Sequence, residues 1–261
     1  MISLFEYTPT ITCIIILIFI MICLYHTGLK AGRSVELVSF TFATAAMLLS
    51  LLYWLAFDIL YPGQRMPFAA NEIAEWAMFL SFASTLKPML GEFYDNARFQ
   101  VAGAVIFMIS NVILWIAWSG EWLQDIITGL TFGYFVITLV RLMKNTDVLK
   151  KRLWIILGII CVLIIASCVA TFIVPESLKS LHDMIAYSLL LITELYFVLR
   201  TLICLYKKAD PKVCMSLSAA TAAWSIIFMY MSSGVYYTVA YIFLQVSFLF
   251  IFLSLRRVVE R

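Results

Sequence analysis

The sequence predicts an all-α, polytopic bundle of about nine transmembrane helices, and three observations lead there. The chain is 64% hydrophobic and only 13% charged, with a mean hydropathy of +1.02, where an ordinary globular protein is about half apolar and about a quarter charged. A chain of 261 residues cannot bury that much apolar surface in a core of its own, so lipid has to cover part of it. The apolar runs recur at the length needed to cross about 30 Å of hydrocarbon, roughly 20 residues each. Finally, the basic residues alternate from side to side in the way that a multi-pass chain requires.

The first span is expected over 9–27. The segment before it has no basic n-region, and the run TITCIIILIFIMICLY leads to Lys30 and Arg33 rather than to a small-residue cleavage site. It reads as a retained helix that enters with its N-terminus outside. Further spans follow at 36–60, 68–90, 99–118, 122–143, 153–174, 183–206, 213–231 and 235–255. The last two are separated only by Met231–Gly234. A single helix across that stretch would be about twice the thickness of a bilayer, so a tight hairpin is expected.

With the N-terminus outside and the C-terminus in the cytoplasm, 16 of the 18 Lys and Arg residues fall on inner segments, and only Arg65 and Lys179 fall on outer ones. Adding or removing one span would move whole basic loops to the wrong side. The expected location is therefore the cell membrane, as a single membrane domain over 1–261. The formal charge of +3 gives no reason to expect a nucleic-acid partner.

The punctuation of the spans recurs after about 113 residues. Pro62 is answered by Pro175, and Trp118-Ser119-Gly120 by Ser232-Ser233-Gly234. This spacing predicts a parallel duplication of a four-helix unit, 9–120 and 122–234, with a final helix at 235–261. An even number of helices in each unit makes the repeat parallel rather than inverted. Chance spacing among evenly placed helices is the alternative.

Ionisable groups inside hydrocarbon cost about 2.5–3.5 kcal/mol each on insertion scales and call for an explanation. Glu194 stands near the middle of its span. It reads either as a cation or proton site or as a carboxyl that ties two helices together. Glu72 and Glu75 lie at i and i+3 on one helical face, with Asn71 just before them. Asp125 and Asp183, like Asp58 and His182, are expected at a similar depth on other spans. The outer side carries Glu6, Asp58, Glu72, Glu75, Glu121, Asp125, Glu176 and Asp183 against two bases. That balance favours cations or small cationic ligands, although acids near helix N-termini also serve the helix dipole. The candidate ligand or cation site is therefore Asn71, Glu72, Glu75, Asp125, Asp183 and Glu194, in a cleft between spans two, three, five and seven.

Other features have plainer readings. Arg141 and Arg200 are expected to snorkel to the inner surface. The Gly129–Gly133 pair and the small-residue run Ser216–Ala223 are close-packing faces. Trp118, Trp122, Tyr236 and Tyr237 read as interfacial aromatics, and the six cysteines as small hydrophobes within helices. No HExxH, Walker A, GxGxxG or GxSxG motif occurs, and the two histidines, His26 and His182, are expected at opposite surfaces. No catalytic residue, metal site or cofactor is expected. Two function classes stay open. One is a sensory or regulatory module that responds to an extracytoplasmic ligand and signals to a cytoplasmic partner through the last helix. The other is a small-solute or cation transporter built around a mid-membrane carboxylate. An enzyme acting through carboxylates alone is the least supported.

Overall fold

Proline, short polar caps and left-handed turns divide the apolar chain into helices. The computed structural model describes residues 7–32, 34–62, 64, 70–91 and 97–260; the calls made on Glu6, Arg33, Arg65, Arg261 and positions 68 and 69 lie outside the described residues. Among the described residues there are nine α-helices: α1 Thr8–Ala31, α2 Val35–Leu60, α3 Ala70–Leu86, α4 Arg98–Ser119, α5 Trp122–Asn145, α6 Lys151–Ala170, α7 Glu176–Tyr206, α8 Pro211–Met231 and α9 Gly234–Val259. Eight of them are long and apolar enough to cross a membrane. The exception, α3, has 17 residues. It gives way to a 3-10 turn at Lys87–Met89, where Pro88 cannot continue the intrahelical ladder.

The caps follow from residue chemistry. Ser34 starts α2 by accepting a hydrogen bond from the Leu37 N–H at 3.3 Å, and Asp210 starts α8 by accepting from the Lys212 N–H at 2.8 Å, with Pro211 at the first helical position. Gly120, at φ 73°, turns α4 into α5. At the end of α7, Lys208 takes φ 49°. Its N–H donates to Leu205 O at 3.2 Å and the Ala209 N–H donates to Cys204 O at 3.1 Å, which closes the helix as a Schellman turn. Only Ser232 and Ser233 separate α8 from α9, and a hydroxyl pair between Ser218 and Ser254, 3.0 Å apart, shows that the two helices run back along each other. The tight hairpin expected from the sequence is therefore present.

Several expected limits shift by up to about four residues, as at the ends of α3 and α6, and one shifts further. The seventh helix begins at Glu176 rather than at 183. The reason is local: Pro175 is its N-cap, and Glu176 and Lys179 form an i,i+3 pair at 3.3 Å, so the polar lead-in is itself helical.

Phenylalanines fill the space where α2, α3, α5 and α9 meet. Phe82 lies with its ring centroid 5.2 Å from both Phe135 and Phe248, and Phe79 lies 5.1 Å from Phe132. Helix α8 is the most enclosed element, packed by α5, α7 and α9. It is rich in Ser, Ala and Thr, whose small side chains let neighbouring backbones approach. In contrast α6, with a mean hydropathy of 3.0, turns most of its surface outward.

The bundle has two chemically distinct ends. At one, the starts of α3, α5 and α7 meet the end of α8, through Gln124–Glu72, Tyr230–Glu75 and Tyr187–Ser233. At the other, Asn145, Arg200 and Arg257 donate to the carbonyls of Leu90, Val148 and Leu205. We call these the acidic and the basic end.

Candidate functional site

At the acidic end, α3 presents Asn71 and Glu75 one turn apart. Ser50 of α2 donates to Asn71 Oδ1, and Asn71 Nδ2 donates to Glu75 Oε1 at 3.1 Å. The Tyr230 hydroxyl of α8 donates to Glu75 Oε2 at 2.9 Å. Both carboxylate oxygens of Glu75 are thus held by neutral donors. Trp115 of α4 packs on Tyr230, ring centroids 5.1 Å apart, and fixes where that hydroxyl points. Glu72 accepts from Gln124 of α5 at 3.1 Å, and one turn deeper Trp76 Nε1 donates to Thr128 Oγ1 at 2.8 Å. The α3–α5 interface therefore has its own polar ladder.

Tyr230 also lines an open cavity of about 330 Å³ bounded by α4, α6, α7 and the end of α8. Its polar lining includes Ser167, His182, Asp183, Tyr187 and Ser233, and its apolar lining includes Trp118, Ile164 and Leu190. His182 Nε2 lies 3.1 Å from Ser167 Oγ and 3.0 Å from Ser167 O, while Nδ1 lies 3.1 Å from Asp183 Oδ1. The imidazole thereby bridges α6 to the carboxylate beside it. Lys179, His182 and Asp183 are the ionisable residues of the lining, Lys179 also pairing with Glu176 at 3.3 Å, and Trp118, Tyr187 and Tyr230 give the cavity aromatic walls.

Glu194 lies one turn below Leu190 on the same face of α7. It is fully buried in the interface with α8. Ser225 donates to its Oε1 at 2.9 Å, and Oε2 has no hydrogen-bond partner among the described residues. One turn up, Trp224 Nε1 donates to Leu190 O at 3.0 Å, a second polar tie between α7 and α8. From the end of α7 at Tyr206, Glu194 is about 18 Å deep at 1.5 Å per residue.

The structure groups the sequence candidates differently from the single cleft expected between spans two, three, five and seven. Asn71, Glu72 and Glu75 share the α3 cluster. Asp183 belongs to the cavity with His182. Asp125 accepts from Ser119 at 2.5 Å at the α4–α5 turn. Glu194 answers to α8, because α7 packs on α6, α8 and α9 whereas α3 packs on α2 and α5. Tyr230 and Ser225, which connect these groups, were not singled out by sequence. A tyrosine near a span end reads as an interfacial aromatic, and a serine in a small-residue run reads as packing. The usable signal was depth: Tyr230 closes span eight at the level where Glu72 and Glu75 open span three.

Among the described residues no group of three or more His, Cys, Asp or Glu side chains is placed to hold a metal ion. No family model, curated protein or solved structure matches this chain.

Proposed function

We propose that this protein is a nine-span membrane module that senses a small organic cation from the extracytoplasmic side. The observation carrying the reading is the double role of Tyr230, which lines the cavity and donates to Glu75. A ligand that displaces or reorients the Tyr230 hydroxyl changes the hydrogen bonding of α3, and through Asn71 that of α2. Occupancy is thereby linked to the packing of helices that do not line the cavity, as a sensor requires.

The orientation belongs to the same reading. The 16-to-2 distribution of basic residues favours the acidic end and its cavity outside and the end of α9 in the cytoplasm.

A transporter is the second reading, and Glu194 is the observation that favours it. A buried carboxyl oxygen without a partner, one turn beyond the cavity, is where a cation would step next.

One experiment separates the two. Purified protein is titrated with tetramethylammonium chloride against sodium chloride at equal ionic strength, and the tryptophan fluorescence of wild type is compared with that of Trp118→Phe, because the chain has seven tryptophans. The same protein in liposomes is then assayed for uptake of labelled tetramethylammonium. Saturable quenching without uptake supports sensing, whereas uptake that is lost in Glu194→Gln supports transport. Neither signal in folded protein would overturn the cationic-ligand reading.

A further inference from the structure

Hydroxyls inside the helices of this bundle commonly turn back onto the carbonyl one turn earlier, as Ser84, Ser110 and Ser188 do on Leu80, Ile106 and Met184. Ser167 of α6 turns instead toward α7, with its Oγ 3.1 Å from His182 Nε2. The carbonyl of Ser167 lies 3.0 Å from the same nitrogen. That carbonyl already accepts from the N–H and the Oγ1 of Thr171, at 3.1 and 3.2 Å, which occupies both of its lone pairs. The hydroxyl is therefore the partner that Nε2 can engage. On the other side of the ring, Nδ1 lies 3.1 Å from Asp183 Oδ1, and a carboxylate only accepts. It holds the ring proton on Nδ1 and leaves the Nε2 lone pair facing the Ser167 hydroxyl.

Hydroxyl, imidazole and carboxylate thus stand in the order of nucleophile, base and orienting group. All three residues line the open cavity of about 330 Å³, and the side chains of His182 and Asp183 keep 15% and 35% of their surface exposed, so a small molecule can reach them. The same cavity offers what an acyl group needs. Ser232 lines it, and its Oγ has no hydrogen-bond partner among the described residues, which leaves a donor free to polarise a carbonyl oxygen. Trp118, Ile164 and Leu190 supply apolar wall for the rest of the molecule.

We propose that Ser167, His182 and Asp183 form a nucleophilic triad that hydrolyses esters of small carboxylic acids entering this cavity. Ser167 Oγ bonds to the acyl carbon while its proton passes to His182 Nε2. The acyl C–O bond of the ester then breaks, and the alcohol leaves with that proton. Water attacks the acyl carbon next and gives a proton to Nε2. The bond to Ser167 Oγ breaks, the serine regains the proton, and the carboxylic acid departs. Ester and water become acid and alcohol with no other reactant. Asp183 is a positioning residue, which keeps the tautomer and balances the imidazolium formed at each transfer. The assignment needs no charge on the ester and does not rest on the cationic-ligand reading.

The test exposes the full-length protein in detergent micelles to diisopropyl fluorophosphate, which phosphorylates activated serine hydroxyls with loss of fluoride, and maps the adduct by mass spectrometry. Folded wild type should carry it on Ser167, and heat-unfolded protein should not. Release of p-nitrophenol from p-nitrophenyl acetate should stop once the adduct has formed. Labelling should slow about 100-fold in His182→Gln, the lower end of what a general base contributes. Asp183→Asn should slow it as well, and Asp183→Glu should recover part of the rate. Folded wild type without an adduct would overturn the proposal. So would an adduct on Tyr187 or Lys179 in place of Ser167, or labelling of Ser167 that is as fast in folded His182→Gln. The wild-type chain carries the first readout, so a variant that fails to fold does not weaken it. Tetramethylammonium binding is measured separately, and either reading can fail while the other stands.

Discussion

Ser225 donates to Glu194 Oε1 at 2.9 Å across the α7–α8 interface, and the other carboxyl oxygen of Glu194 is left without a partner among the described residues. The pair has the deepest carboxyl of the candidate set and a helix whose small residues admit close approach. Replacing Ser225 with Ala should lower stability in detergent by about 1 kcal/mol, because it strands a second buried acceptor. Glu194→Leu combined with Ser225→Ala should recover most of that loss, since neither variant side chain then needs a partner. Thermal unfolding of the single and double variants checks this. A Ser225→Ala protein as stable as wild type would remove the bond from the account of α7–α8 packing.

Tyr230 is expected to act through its hydroxyl rather than through its ring. Tyr230→Phe keeps the packing on Trp115 but leaves Glu75 Oε2 without its donor. A loss of about 1 kcal/mol should follow, the usual net contribution of one hydrogen bond. Asn71→Ala should give a loss in the same range by removing the donor to Oε1. Hydrogen exchange should then speed up at the start of α3 in both variants, and unchanged exchange there would argue against the network.

The α4–α5 contact depends on a missing side chain. A Cβ built on Gly129 would stand 2.0 Å from Val112 Cγ2, and the β-branched valine has little freedom to turn away. Gly129→Ala should destabilise the protein by about 1–3 kcal/mol, the usual range for overpacking. Adding Val112→Ala should restore much of this. The unfolding midpoints of the four proteins in that cycle measure the coupling directly, and simple additivity would contradict the contact.

Asp183 should set the affinity of the cavity for cations. Asp183→Asn keeps the shape and the capacity to bond His182 but removes the charge. Tetramethylammonium binding should weaken about tenfold, equivalent to about 1.4 kcal/mol. The same substitution at Asp125, which bonds Ser119 at the α4–α5 turn, should leave binding unchanged. Equal effects at the two positions would mean a diffuse surface charge rather than a site.

The helices were legible because their causes are local. Apolar runs of membrane length and Pro175 before α7 act on neighbouring residues, whereas Pro88, which follows the end of α3, falls inside the span expected over 68–90. Even the two-residue break between α8 and α9 could be read, because the alternative was a helix too long for a bilayer. The start of α7 was placed late because the polar stretch from Glu176 to Asp183 reads as a loop. It is helical through its proline cap and its own i,i+3 pair.

The candidate site was legible only as an inventory. Composition and depth pointed to Asn71, Glu72, Glu75, Asp125, Asp183 and Glu194, but six polar residues at comparable depth can pair in many ways. Which of them meet depends on rotation about each helix axis and on the order in which the helices pack. Neither leaves a trace in hydropathy.

The sequence by itself determined the helical class, most helix limits apart from the start of α7, and the asymmetry of charge between the two ends, because these follow from transfer free energies and backbone rules that act along the chain. The tertiary structure alone decided that α8 bonds Glu194 through Ser225 and Glu75 through Tyr230, and that Tyr230 also lines a cavity. Such meetings are fixed by side-chain packing between helices distant in sequence, where shape complementarity rather than local preference selects the partners.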